Sequence, residues 1–169
     1  MNVLGIDPGV SETGWAVLNF DQSPALISAG LIKTFPTTEL PERLRAIHEA
    51  VSRLIQEHRP DSVAIEEMFF LKAAHTIRAT LQARGVILLA VAQARLPISE
   101  YNPRTVKLTL TGSGSADKPQ MQRVLQKALN LAAILKPDDV ADAAAIALCH
   151  IRSNRYKKLK VLERFGARA

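Results

Sequence analysis

The first part of the chain alternates short apolar runs with turn residues. The runs "VLGID" and "WAVLNF" are rich in branched or aromatic residues, and Pro8, Gly9 and Gly14 lie between them. A third run, "ALISAGLIKTF", follows closely. Because parallel neighbours need a crossover of about a dozen residues, these short spacings predict an antiparallel meander of three strands.

The hydrophobic period then changes to that of a helix. A single helical stripe runs from Leu40 to His58, and Pro60 follows it as a stop signal. The next run, "SVAIEE", reads as a fourth strand that is parallel to the first, since a helical crossover precedes it. Asp7 and Glu66 then both end strands, and adjacent parallel strands bring their carboxyl ends to one edge of the sheet. The stripe consists of Leu40, Leu44, Ile47, Val51, Leu54 and Ile55.

A second helix is predicted from about Thr76 to Arg95. Its segment "VILLAVAQA" is apolar on nearly every side, so the helix needs two packing partners. One partner is the sheet, and the other is either a second protomer or the core of the same chain. Both alternatives remain open from the sequence.

The remaining pattern completes an α/β domain. "PISEY" reads as a fifth strand, "NPRTVKLTL" as a short helix and "TGSGSAD" as a flexible loop. A further helix starts at Pro119, and "PDDVADAAAIALCHI" forms a last one.

Composition limits the class of protein. A chain of 169 residues with 47% hydrophobic content suits one globular domain, predicted over 1–153 and followed by a basic tail over 154–169. The single cysteine, Cys149, excludes a disulfide framework and a CxxC metal site, and it fits a reducing compartment. Without a signal peptide or a bilayer-spanning apolar run, a cytoplasmic protein is expected.

The charge balance favours a polyanionic partner. The formal net charge is +6 and the isoelectric point is about 9.8, with many lysines and arginines between Arg152 and Arg168. A solvated, frayed terminus explains that last cluster equally well.

Two aspartates lie at the start of the last predicted helix. Asp139 and Asp142 are three positions apart, so they emerge on one face with Cβ atoms about 5–6 Å apart. Capping and dipole effects explain acids in a first turn, and Asp138 fits that role. Asp142 is harder to explain in this way, because the surrounding "VADAAAIAL" predicts a tightly packed helix in which an acid needs a partner.

The strand-end acids have alternatives of their own. Asp-Pro-Gly is an ordinary turn, which explains Asp7 without chemistry. Glu66 and Glu67 point to opposite faces of their strand, so only one of the two can face Asp7.

Acids that converge on one edge repel each other unless a cation screens them. Hard oxygen ligands select Mg²⁺ or Mn²⁺, and two such ions roughly 3.5–4 Å apart can clamp a phosphodiester. This chemistry needs no nucleophilic triad, and the four histidines of the chain offer no convincing one. The pattern predicts metal-dependent phosphodiester hydrolysis.

Several motifs resemble one family in their order along the chain. "GIDPG" with "TGWAV", "AIEEMFF", "ARGVILLA", "GSGSADKPQMQ" and "DDVADAAAIALCH" are similar to the RuvC family of Holliday-junction resolvases, over roughly residues 1–151. The resemblance implies a ribonuclease H-like domain with a five-stranded mixed sheet flanked by helices. It also implies a homodimer that resolves four-way DNA junctions by paired symmetric nicks in recombination and repair, together with a branch-migration helicase complex.

The same resemblance assigns site residues. The metal-binding and catalytic acids are Asp7, Glu66, Asp139 and Asp142, with Asp138 as the alternative third acid. The implied ion is Mg²⁺, two per site and replaceable by Mn²⁺. The DNA-contacting residues are Phe69, Phe70, Lys72, Arg104, Lys107 and Lys118. An exposed aromatic such as Phe69 can stack on an unpaired base, although Phe70 is equally placed to do so.

Two other functions remain as alternatives. A junction-binding protein without catalysis fits the basic charge. An actin-like ATP-binding phosphotransferase fits the D-x-G spacing of "DPG", but the chain has no second glycine-rich loop.

Overall fold

The computed structural model describes residues 1–67 and 74–166, with side chains for 1–67 and 78–154. These residues form one α/β domain. Its elements are β1 (Asn2–Asp7), β2 (Glu12–Phe20), β3 (Pro24–Lys33), α1 (Leu40–His58), β4 (Ser62–Glu66), α2 (Ala74–Gln93), β5 (Ile98–Tyr101), α3 (Pro103–Thr111), α4 (Lys118–Ala128) and α5 (Asp138–Gly166).

The five strands form one mixed sheet in the order β3-β2-β1-β4-β5. Strands β1, β2 and β3 pair antiparallel, which confirms the predicted meander. Strand β4 lies parallel to β1, with Ile6 opposite Ile65, and β5 lies parallel to β4. The predicted parallel orientation of the first and fourth strands is therefore confirmed, and the two strands are neighbours, which is the condition for Asp7 and Glu66 to end at one edge.

Alternating residues of the central strands face different helical layers. Leu4 and Ile6 of β1 pack with helices α1 and α2. Val3 of β1 and Ala64 of β4 pack with α3, α4 and α5 on the other face. Because side chains alternate along a strand, Asp7 and Glu66 share the face that α5 covers.

Helix α5 lies unusually close to the sheet. A side-chain Cβ at Gly5 would overlap the backbone oxygen of Ala143 and press on Ala147, and a Cβ at Gly14 would overlap the backbone of Asp139. The buried alanines of α5 make this approach possible, as the alanine-rich sequence predicted. The close contact fixes the start of α5 over the carboxyl end of β1 and the beginning of β2.

A buried histidine holds α5 to the other half of the sheet. His150 is only 4% exposed. Its Nε2 lies 3.1 Å from the Ser62 hydroxyl on β4, and its Nδ1 lies 3.0 Å from the hydroxyl of Tyr101, the last residue of β5. Hydrogen bonds at both ring nitrogens fix the position of α5 relative to β4 and β5.

Some helix boundaries differ from the sequence prediction. Helix α1 ends at His58 as predicted, and Arg59 caps it in a left-handed conformation (φ 43°), one residue before Pro60. Helix α4 begins at Lys118 instead of Pro119. Helix α5 continues through residues 152–166, so this part of the basic stretch extends the helix.

Helix α2 lies on the surface of the sheet. Ala83, Ile87 and Val91 are buried against it, whereas Leu89 on the outer side is 51% exposed. The described part of α2 therefore packs on one side against the sheet and α1, and its outer side is exposed. Within the described ranges, no helix has both the length and the apolar character needed to cross a bilayer.

Candidate active site

Asp7 and Glu66 meet at the carboxyl ends of two neighbouring parallel strands. Burial raises the pKa of Asp7 from 3.8 to about 8, and the negative charges of Glu66 and Asp142 add to the effect. Burial also raises the pKa of Glu66, while a hydrogen bond from Asp7 opposes that rise. The two carboxyls therefore interact closely, and each, when ionised, disfavours the ionised form of the other.

Helix α5 adds two further acids to this pair. Burial raises the pKa of Asp142, and the charges of Lys118 and Lys107 oppose the rise. Burial raises the pKa of Asp139 as well, with a further contribution from Glu12. All four predicted acids thus have pKa values above their ordinary range, which is the expected result of gathering carboxylates in a partly buried space.

The structure distinguishes Asp138 from Asp139. Asp138 is exposed and forms a 2.7 Å ion pair with the Nζ of Lys118, which lowers its pKa. Asp139 is half-buried, and its charge is among those that raise the pKa of Asp7. Of these two aspartates, Asp139 is therefore the one that lies near the strand-end acids.

Glu12 is a fifth acid near the site, and the sequence reasoning did not single it out. It is the first residue of β2 and forms a 3.2 Å ion pair with Lys33 across the β2–β3 pair. Its carboxyl also interacts with Asp139 by a side-chain hydrogen bond. The signal was available, because an antiparallel neighbour of the first strand must begin beside the end of that strand.

Two of the predicted cations lie beside the acids. Lys107 on α3 and Lys118 at the start of α4 line a cavity of about 160 Å³ together with Glu66 and Asp142. One amide in the first turn of α4 is not available to an anion, because the Asp117 carboxylate accepts a 2.7 Å hydrogen bond from the Gln120 amide.

The other predicted DNA contacts are less informative. Arg104 is exposed in the first turn of α3, where its amide donates to the Asn102 side chain and its own side chain packs against Gly114. Phe69, Phe70 and Lys72 lie outside the described residues.

The donor set fits a hard divalent cation. Its members are carboxylate oxygens, which Mg²⁺ and Mn²⁺ prefer, and their raised pKa values show that no described cation fully compensates them. Among the described residues, no three Asp, Glu, His or Cys side chains already have the spacing to enclose an ion.

Comparison with known proteins gives a consistent picture. Residues 3–150 match the family model described as crossover junction endodeoxyribonuclease RuvC. The protein of that name from Endomicrobium trichonymphae is 46% identical over 155 residues, which cover 90% of this chain and 82% of the relative. The one from Chloroflexus aurantiacus is 44% identical over 167 residues, covering 98% and 99% of the two chains.

Solved structures are similar over nearly the whole chain. Thermus thermophilus RuvC in complex with a Holliday junction substrate superposes with a TM-score of 0.89 at 33% identity, covering 93% of this chain and 96% of that one. The yeast mitochondrial Holliday junction resolvase Ydc2 has a TM-score of 0.66 at 16% identity, covering 96% and 83% of the chains, and this likeness shows a shared fold.

Proposed function

The chain belongs to the RuvC family of crossover junction endodeoxyribonucleases, and we propose that its four clustered acids bind two Mg²⁺ ions to cut one strand of a four-way DNA junction. Family membership makes the chain a phosphodiester hydrolase with a ribonuclease H-like fold. Family nucleases are metal-dependent. The identity and number of the ions, and the acids that hold them, are part of the proposal.

The observation that carries the proposal is the shared face of Asp7, Glu66 and Asp142. Two of these acids end neighbouring parallel strands, and α5 places the third against them. Asp139 completes the set. Divalent ions held there supply an activated water and a stabilised leaving oxygen in phosphodiester hydrolysis.

The chain's own residues perform the remaining tasks. Lys107 and Lys118 lie beside the acids, where their charges can hold a backbone phosphate near the carboxylates. Lys118 is already paired with Asp138, so Asp138 orients the ammonium instead of binding metal. Junction binding then involves the exchange of this exposed ion pair for a contact with phosphate.

The proposed active form is a homodimer. A four-way junction has approximate two-fold symmetry, and symmetric nicks require two equivalent active sites. Helix α2 has an outer apolar side, with exposed Leu89 and half-buried Val86, that suits a second copy of the chain. We further propose a cytoplasmic location, a role in recombination and repair, and a branch-migration helicase as partner.

Cleavage of defined substrates tests the proposal. A synthetic four-way junction, a linear duplex of the same sequence and an RNA–DNA hybrid are incubated with the protein and Mg²⁺. Paired nicks at symmetric positions of the junction alone are the expected result. Cleavage of the hybrid would show that the substrate is wrong, and tight junction binding without cleavage would indicate a binding protein that lacks catalysis.

A further inference from the structure

The outer side of α4 forms one wall of an open groove that lies away from the acids. The end of α3 and the loop after it form the other wall, and the groove has a volume of about 760 Å³. Among the described residues, it shares no lining residue with the cavity that contains Glu66 and Asp142. The polar lining of this α4 groove includes Thr111, Ser113, Gln120, Arg123, Lys127 and Asn130.

Two cations of the α4 groove have no acidic partner in the part of the chain that the structure describes. Arg123 and Lys127 are exposed, and neither lies within ion-pairing distance of a described carboxylate. Lys118, at the start of the same helix, is instead paired with Asp138. The charges of Arg123 and Lys127 are therefore available to a ligand.

The surroundings of the α4 groove are cationic as well. Its described lining contains no aspartate or glutamate. Residues 103–136 contain six lysines and arginines and one acid, Asp117, which leaves this segment with a formal charge of +5. A surface with this charge attracts polyanions.

Internal hydrogen bonds hold the walls of the α4 groove. The Thr111 hydroxyl donates to the backbone oxygen of Lys107 at 2.8 Å and accepts from the Ser113 amide at 3.1 Å. The Gln120 side-chain oxygen accepts from the Asp117 amide at 3.0 Å, which leaves its Nε2 to donate to a ligand. A groove that is already ordered loses little conformational entropy when a ligand binds.

Helix α4 also sets the distance between the groove and the acids. Arg123 and Lys127 follow Lys118 by five and nine residues, which places them about 7–8 Å and 13–14 Å further along the helix at about 1.5 Å per residue. Phosphates of one DNA strand are about 3.4 Å apart along the duplex axis. A strand that runs along α4 from Lys118 therefore brings about its second phosphate to Arg123 and about its fourth to Lys127.

We propose that the α4 groove binds the sugar–phosphate backbone of one duplex arm of the junction, about two to four phosphates from the cut. The inference rests on the proposed function, in which Lys118 lies at the phosphate beside the acids. Arginine, lysine, hydroxyl and amide side chains are the usual partners of phosphate oxygens. An acidic peptide matches the charge as well, but the helix shared with Lys118 favours the nucleic acid.

Contacts of this kind hold the arm without reading its sequence. Loss of Arg123 or Lys127 should therefore weaken junction binding to the same degree for any base sequence in the arm. The contacts should also contribute to the dependence of binding on salt, because each phosphate contact releases condensed counterions.

The salt dependence of junction binding tests the inference. The Kd for a four-way junction is measured in EDTA at several salt concentrations, for wild type, Arg123→Gln, Lys127→Gln and the double variant. The slope of log Kd against log salt concentration should fall by about 0.9 for each lost phosphate contact, and by about twice that in the double variant. Arg53→Gln is the matched control, because it removes the same charge from an exposed position of α1, on the other face of the sheet, and should keep the wild-type slope.

Junctions with one neutral methylphosphonate locate the contact. The second to the fifth phosphates from the cut are replaced one at a time in each arm. At one position, the replacement should weaken wild-type binding by the same factor as Arg123→Gln does, and it should not weaken Arg123→Gln further. Lys127→Gln should show the same non-additivity at a position further from the cut.

The outcomes separate the two proposals. If both variants keep the wild-type slope, if Arg53→Gln lowers the slope equally, or if no methylphosphonate reproduces the loss, the α4 groove does not bind the arm and the proposed function stands. A wild-type protein that binds the junction without cutting it in Mg²⁺ would instead overturn the proposed function. The salt slopes would still support or refute the groove in that case, because they are measured by binding alone.

Discussion

A side-chain Cβ at Gly14 would overlap the backbone oxygen of Asp139. Gly14 also pairs with Asp7 across β1 and β2, so the first turn of α5 lies against the strand pair that carries the strand-end acid. The distance between the acids of α5 and those of the sheet is thus set by a backbone contact, which only glycine permits. The geometry of the candidate metal site depends on this contact.

The change Gly14→Ala should therefore weaken metal binding although it touches no acid. The added methyl group must push α5 outward, at a cost of about 1–3 kcal/mol in the free energy of unfolding. Mg²⁺ affinity should fall about 10- to 100-fold, as it does when residues that orient metal ligands are altered. Calorimetric Mg²⁺ titration and urea unfolding measure the two effects.

Gly85→Ala is the control for this change. No described atom comes within 4 Å of a Cβ at Gly85, and the residue lies in α2 away from the acids. Its Mg²⁺ affinity should equal that of wild type. An unchanged Mg²⁺ affinity in Gly14→Ala would show that the α5 contact does not set the site.

Asp7→Asn should abolish cleavage and leave junction binding intact. The amide keeps the shape of the side chain but removes the charge that the proposed metal site requires. The cleavage rate should therefore fall by more than about 100-fold, which exceeds the loss seen when a residue that only orients a metal ligand is changed. Nicking assays and gel-shift binding on the same junction measure this separation. Glu67→Gln, at the next position after β4 Glu66, should cleave normally, and a fully active Asp7→Asn protein would contradict the proposed site.

The raised pKa of Asp7 makes the metal-free protein sensitive to pH. Its folded-state pKa is about 8 against 3.8 for the ordinary group, so the folded state binds the proton more tightly than the unfolded state does. The contribution of Asp7 to the free energy of unfolding is therefore fully present below about pH 4. It is lost as the pH rises to about 8, by up to about 1.4 kcal/mol per pH unit. Urea unfolding in EDTA across this range measures the slope.

Neutralisation of the acid should remove that slope. In EDTA, Asp7→Asn should be more stable than wild type at pH 8 and similar at pH 4, and Mg²⁺ should stabilise wild type more than the variant. Asp138→Asn is the control, because the ion pair with Lys118 lowers the pKa of Asp138 and its contribution to stability therefore changes only below about pH 4, so the slope between pH 4 and pH 8 should match that of wild type. An Asp7→Asn protein that is less stable than wild type at pH 8 would contradict the assignment of a buried, repelling carboxyl.

Leu89→Arg should convert the proposed dimer into a monomer. Leu89 is 51% exposed on the outer side of α2, so the variant should fold, but a charge would be desolvated between two copies of the chain. Light scattering measures the mass, and the ratio of paired to single nicks measures coordination. Ile27→Arg, on the outer strand β3 at 56% exposure, should remain dimeric, and a dimeric Leu89→Arg protein would place the interface elsewhere.

The sequence alone determined the sheet and two members of the acid site. Short connections imply antiparallel neighbours, and a helical crossover implies a parallel one, so the order of β1, β2, β3 and β4 follows from local spacing. If the first and fourth strands are neighbours, their carboxyl ends then bring Asp7 and Glu66 to one edge of the sheet. Both inferences use regularities of the backbone that hold regardless of what packs on it.

Only the tertiary structure decided the features of the site that depend on the rotation of α5 about its axis and on its distance from the sheet. Asp138 and Asp139 are adjacent in sequence, and only the contacts of α5 with Gly5 and Gly14 turn Asp139 toward the strand ends and leave Asp138 to Lys118. The interaction of Glu12 with Asp139 and the cavity lined by Lys107 and Lys118 have the same origin. These features join residues far apart in the chain, and side-chain packing that excludes all but one arrangement has no signature in local periodicity.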